Sequence, residues 1–157
     1  GGKSASGSNR IHYLDSADDA LGQSPLLAPS VFNFFSPDFR NPGPIAQAQL
    51  YSPEFQITSE TTVVGTLNFF ASLIDGRGYG SGDSRLALDT SDLEQLSADP
   101  NALVDWLDLM YFNGQGSPTT RTLVAGAVAA VPAKNRRERV RTALMLTVIA
   151  PDFVIQR

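Results

Sequence analysis

The sequence predicts an all-α protein, an irregular helical bundle with a proline-rich, loop-rich amino-terminal third. From Ser52 onward, apolar residues recur at steps of three and four, which is the spacing of a buried helix face. Five of the 10 prolines follow a serine or an aspartate, as expected where capped helices begin. Long alternating runs of β-branched residues, which would indicate strands, are missing.

One four-residue phrase occurs three times, and it marks helix or turn starts. Each copy consists of a small residue, a proline, an acidic residue and a phenylalanine, in that order. The copies are Ser36–Phe39, Ser52–Phe55 and Ala150–Phe153. The small residue can cap a helix, proline is tolerated at the first helical position, and the acid meets the positive end of the helix dipole. The phenylalanine then anchors the turn. In the last copy we expect Phe153 to insert between helices and Asp152 to cap a terminal turn.

In the first half of the chain, the sequence signals for secondary structure are weaker than in the second half. Residues 1–10 predict a disordered tail or linker, followed by a single helical domain over residues 11–157. For residues 11–50 the sequence predicts short helices and irregular segments, with a turn or loop at residues 40–47. Residues 53–74 predict one long helix, or a short helix and a longer one. Its apolar stripe is Val63, Val64, Leu67, Phe70, Ala71 and Ile74.

Caps and breakers mark four later helices. They begin at the Ser91–Glu94 capping box, at Asp99-Pro100, at Ser117-Pro118 and near Lys134. Asn113-Gly114 ends the second of these helices and Pro132 breaks the third. The expected inward residues are Leu103, Val104, Leu107, Met110 or Tyr111, and, in the last helix, Val140, Leu144 and Val148.

Composition narrows the function classes. The chain has 157 residues, a net charge of -4 and no cysteine. The negative charge argues against nucleic-acid partners, and the lack of cysteine excludes disulfides and thiolate metal sites. No apolar run approaches the roughly 18 residues of a membrane span, so membrane insertion is not expected. The opening residues contain neither an initiator Met nor an apolar signal segment, which predicts a fragment or processed piece of a larger protein.

Candidate chemical sites are sparse. His12 is the only histidine and is interpreted as a surface loop residue. The glycine-rich residues 75–85 lack the Gly-Lys-Ser/Thr of a phosphate loop. Asp75, Asp83 and Asp89 are weak candidates for a calcium site, but their spacing fits no EF-hand. The preferred interpretation is a mobile connector that binds no metal tightly, and no cofactor is expected.

Two groups of charged residues are candidate functional features. A basic cluster contains Lys134, Arg136, Arg137, Arg139 and Arg141, and we expect it to pair with an acidic patch of this chain or its parent. Candidate partners are Asp15, Asp18, Asp19, Asp105 and Asp108. Asp105 and Asp108 could also form a glycosidase pair, although this one-turn spacing is common on solvated helices.

The aromatic run near the amino terminus is the favoured interaction site. Phe32, Phe34, Phe35 and Phe39 fall within eight residues that also contain Pro37. A single helix cannot point all four rings one way, because Phe34 lies off the face that the others share. We expect one or two exposed rings that meet another protein, with self-association of the isolated chain; the alternative is that all four are buried locally.

Two stretches resemble a known family. Residues 21–70, with their Ser-Val-Phe-Asn-Phe-Phe-Ser-Pro-Asp phrase, and the closing residues 139–157, with Ala-Pro-Asp-Phe and a final Gln-Arg, are similar to the carboxyl-terminal part of the bacterial domain of unknown function 1800. The resemblance implies a longer, exported, extracytoplasmic parent protein. It carries over no catalytic motif.

The expected function is therefore a structural or interaction module of a larger exported bacterial protein, packing against the rest of its parent or another protein. The alternative is part of a carbohydrate-active or hydrolytic enzyme whose site, in the loops around residues 32–39 and 76–83, is incomplete here.

Overall fold

A computed structural model describes residues 2–4, 36–57 and 59–154. The chain divides into two compact units, residues 1–12 with 70–157, and residues 13–69. The single domain that we expected over residues 11–157 stays a prediction. The predicted helical class is confirmed, since helices dominate the described residues and the only sheet among them is one short two-stranded ladder.

Where it is described, the unit of residues 13–69 contains turns, short helices and the first part of one longer helix. Helix α1 (Pro44–Gln47) lies inside the stretch that we expected to be only a turn or loop. It begins at Pro44, and proline is favourable at the first position of a helix. A 3₁₀ helix (Pro53–Ile57) precedes α2 (Glu60–Ile74), so the short-then-long alternative is confirmed. The division between the two units falls within α2.

The threefold phrase adopts one backbone pattern. In each copy the phenylalanine N–H donates to the carbonyl of the small residue, and the distance is 3.0 Å for Phe39 to Ser36, Phe55 to Ser52 and Phe153 to Ala150. Proline at the second position of the turn fixes the backbone angle that this bond needs. The three copies continue as a turn, the 3₁₀ helix and helix α7 (Pro151–Val154).

The other unit is a helical bundle with a small ladder. Strand β1 (Gly2–Ser4) pairs antiparallel with β2 (Leu86–Leu88), so part of the stretch expected to be a tail is a strand. Helices α3 (Ser91–Leu96), α4 (Pro100–Phe112), α5 (Pro118–Ala130) and α6 (Arg136–Ile149) follow. Their core includes Leu103, Leu107, Val124, Val128, Val140 and Leu144.

Several caps form as predicted. Asp99 accepts hydrogen bonds from the N–H groups of Asn101 and Ala102, and Asn113 ends α4 in the left-handed conformation with φ 53°. Ser117 caps α5 by accepting from the Thr120 N–H. The Ser91 capping box is wrong: Thr90 is the N-cap residue and its hydroxyl donates to Glu94 at 3.0 Å.

Two predicted apolar stripes are wrong in part. In α2, Val63 and Val64 are 45% and 55% exposed, and the buried residues are Phe69, Leu73 and Ile74. In α4, Leu103, Val104 and Leu107 are buried as predicted, but the two alternatives for the next position, Met110 and Tyr111, are 59% and 43% exposed. The repeat of three and four residues specifies a face only where a partner element covers the whole length of the helix.

The last phrase anchors the bundle at two points. The Phe153 ring packs edge-on against Phe70, with centroids 5.8 Å apart, and lies 5.9 Å from the Tyr111 ring. This confirms the expected insertion between helices. Asp152, which we expected to cap its own turn, accepts from the hydroxyls of Ser117 at 2.7 Å and Thr120 at 2.6 Å, at the start of α5. The cap on its own turn stays a prediction.

Candidate interaction surface

Helix α4 has an exposed apolar face in addition to its buried one. Trp106, Leu109 and Met110 are 37%, 62% and 59% exposed. Steps of three and four residues bring these side chains onto one side of the helix, next to the face formed by Leu103, Val104 and Leu107. We call Trp106, Leu109 and Met110 the α4 surface. Large apolar side chains that cluster in this way mark protein contacts more often than scattered ones do.

The carboxylates next to this surface have structural partners. Arg121 of α5 forms ion pairs with both Asp105 and Asp108. Asp108 is buried and also accepts the Gly116 N–H at 2.8 Å. A Cβ at position 116 would collide with the Asp108 carboxylate, so glycine lets the chain approach it. The predicted pairing of Asp105 and Asp108 with the basic cluster is wrong, because both carboxylates form ion pairs with Arg121.

Two members of the basic cluster, Arg139 and Arg141, have separate partners. Arg141 forms an ion pair with Asp75, which was not among the predicted partners, and contacts Glu138 at 3.4 Å. The hydrogen bond from Arg141, followed by its charge and that of Arg77, lowers the pKa of Asp75 below its ordinary value. Arg139 and Arg141 therefore do not share one acidic partner patch.

Arg139 is buried and is held by backbone carbonyls. Its guanidinium donates to Val131 at 2.9 Å and to Ser97 at 2.9 Å, and it reaches Ala98 at 3.4 Å. Ser97 and Val131 are the C-cap residues of α3 and α5, where helix dipoles concentrate negative charge. Arg139 therefore joins the carboxyl ends of two helices to α6.

The predicted metal candidates have local roles. Asp75 lies between Arg77 and Arg141, and Asp89 accepts the Ser91 hydroxyl at 2.6 Å before α3. Asp83 lies in a 3₁₀ turn, Gly82–Ser84. Within residues 2–4, 36–57 and 59–154, no group of three or more acids or histidines is arranged to hold a metal. That the glycine-rich segment binds no metal stays a prediction.

The aromatic cluster favoured as an interaction site is mostly untested. Phe32, Phe34 and Phe35 lie outside the described residues, as do His12, Asp15, Asp18 and Asp19. Phe39 is half-buried, and its carbonyl accepts the Ser52 N–H at 2.8 Å.

A comparison with known families covers nearly the whole chain. The family model described as "Protein of unknown function (DUF1800)" matches residues 5–155. The chain belongs to the DUF1800 family. No curated protein and no solved structure matches this DUF1800 chain. In the described part of this family member, none of the helices combines the length and the hydropathy needed to cross a bilayer.

Sequence reasoning missed the α4 surface in this DUF1800 chain, although the signal is present. Trp106, Leu109 and Met110 form a second set at steps of three and four, beside the set that is buried. When a helix has two apolar sets and the core of the bundle covers one of them, the other set is exposed. Because Met110 was one of two alternatives for the buried set, the second set was not recognised as a separate face.

Proposed function

We propose that this chain is a non-catalytic structural or interaction module of a larger exported bacterial protein, which packs through the α4 surface against its parent chain or a partner protein. The exposure of Trp106, Leu109 and Met110 on one side of one helix carries the proposal. Tryptophan and methionine are enriched at protein interfaces, where a large ring or a flexible thioether fills a pocket in the partner. The proposed extracytoplasmic location rests on the family resemblance alone.

The charges support a contact that is mainly apolar. Asp105, the acid that borders the α4 surface, is held by Arg121 and is not left to repel a partner. In the described residues, every buried polar side-chain atom has a hydrogen-bond partner, so the polar groups of the bundle serve its own packing. The partner surface that fits is therefore apolar, with a polar rim.

Sedimentation velocity of the isolated chain provides the test. With the natural partner absent, the α4 surface promotes concentration-dependent self-association, and replacing Leu109 and Met110 by serine reverses it. The matched control is Leu123→Ser, which removes a leucine of similar exposure, 57%, from α5. A wild-type chain that stays monomeric at high concentration, or equal effects of both changes, would contradict the proposal.

A further inference from the structure

Four arginines converge on the tight turn that follows α2. Arg77 contacts Asp75 at 3.1 Å, and Arg141 of α6 pairs with the same carboxylate. Arg85 donates a hydrogen bond to the Arg77 carbonyl. The Nη2 atom of Arg137 lies 2.7 Å from the point that a Cβ of Gly76 would occupy. We call Arg77, Arg85, Arg137 and Arg141 the arginine cluster.

The arginine cluster has more positive charge than its carboxylates neutralise. Within the described residues, the carboxylates paired with these four cations are Asp75 and Glu138. The local excess is positive, although the chain as a whole carries a net charge of -4. A local field that opposes the overall charge favours anions at this turn alone.

Arg137 is the available donor of the cluster. It is exposed and has neither a hydrogen bond nor an ion pair in the part of the chain that the structure describes. It lies one helical turn before Arg141, so both guanidinium groups project from the same side of α6. An unpaired guanidinium offers five N–H donors in a planar fork that suits an oxyanion.

The backbone N–H groups of the two glycines in the turn are already hydrogen-bonded within the chain and do not donate to a ligand. The N–H groups of Gly76 and Gly78 donate to the Leu73 and Ser72 carbonyls, both at 3.1 Å. The φ angle of Gly76, 80°, and the lack of a side chain there leave room for Arg137. Binding must therefore come from the side chains and not from a backbone nest.

We propose that the arginine cluster binds a tetrahedral oxyanion, a phosphate or sulfate group. A carboxylate has two oxygens, and Asp75 already presents one to Arg77 and the other to Arg141. A tetrahedral group has three or four acceptor oxygens, which fits guanidinium groups that approach from a loop and a helix. This inference is independent of the α4 surface.

Isothermal titration of the full chain with inorganic phosphate, at constant ionic strength against chloride, tests the proposal. We expect saturable binding that Arg137→Gln weakens by about tenfold, the effect of losing one charge-assisted hydrogen bond. Arg136→Gln is the matched control, because it removes the same charge from the adjacent exposed position and leaves the affinity within about twofold. Asp75→Asn removes the competing acid and strengthens binding.

The outcomes separate a site from a general charge effect. Equal weakening by the two arginine changes, or no saturable heat in the wild type, would overturn the proposal. Titration with methyl phosphate and methyl sulfate distinguishes an esterified group from the free ion, since retained affinity for the esters assigns the ligand to a phosphorylated or sulfated molecule. Matching thermal melts of the variants and the wild type establish that the variants are folded.

Discussion

The helices α3–α7 and the glycine-rich residues 75–85 belong to one compact unit but are held together differently. The helices depend on buried side chains such as Leu103 and Val140, both fully inaccessible, and on the buried carboxylate of Asp108. The glycine-rich segment depends on backbone bonds, such as the bridge between Tyr79 and Leu86, and on ion pairs at the surface. Substitutions in the helices should therefore lower the free energy of unfolding through lost side-chain packing. Substitutions in the glycine-rich segment should lower it through backbone strain or lost ion pairs.

The largest expected effect is at Phe153. Phe153→Ala removes the ring that contacts Phe70 and Tyr111, and should lower the free energy of unfolding by about 3–5 kcal/mol. Chemical denaturation measures it. Ile149→Ala, at a residue 45% exposed, is the control and should cost less than about 1 kcal/mol. A loss below about 1 kcal/mol for Phe153→Ala would show that the ring does not anchor the bundle.

The buried ion pair gives the next effect. Asp108→Ala leaves the Arg121 guanidinium and the Gly116 N–H without their acceptor, and should cost about 3 kcal/mol. Asp105→Ala is the matched control, since it removes the other acid paired with Arg121 at a side chain 64% exposed, and should cost less than about 1 kcal/mol. Similar losses for the two would mean that burial does not separate their roles.

In the glycine-rich segment, replacing a glycine by alanine should lower the free energy of unfolding. Gly78 has φ 74°, and a Cβ there would lie 2.5 Å from the Leu86 carbonyl oxygen. Gly78→Ala should therefore cost about 2 kcal/mol through backbone strain. Gly82→Ala, where φ is also positive but nothing lies within 4 Å, is the control and should cost less. If both alanines are tolerated equally, close approach at position 78 does not hold this segment.

The smallest effect is a pH dependence at Asp75. Because Arg141 and Arg77 lower its pKa in the folded chain from the ordinary 3.8, the ion pair stabilises the fold above that value, and this stability is lost as the pH falls through the folded pKa. Denaturation midpoints of the wild type and Asp75→Asn should differ at neutral pH and converge below about pH 4. A gap that is constant with pH would contradict this assignment.

Sequence patterns predicted the helices well and the contacts between them poorly. The limits of α4 could be predicted because Asp99, Pro100 and Asn113 act within one turn of the backbone. The partner of Arg141 could not, because Asp75 lies 66 residues away and only the folded chain brings them together. The α4 surface was missed for a related reason: periodicity identifies apolar faces but does not tell which of two faces the fold covers.

The contact of Asp152 with α5 has a consequence for folding during synthesis. Ser117 precedes its acceptor by 35 residues and Thr120 by 32, so the first turn of α5 lacks this acceptor until the closing phrase has left the ribosome. A nascent chain that ends before Ala150 has α5 and α6 but neither the Phe153 ring nor the Asp152 carboxylate. The bundle should therefore become resistant to proteases late, when α7 emerges and joins α5 to the end of α6.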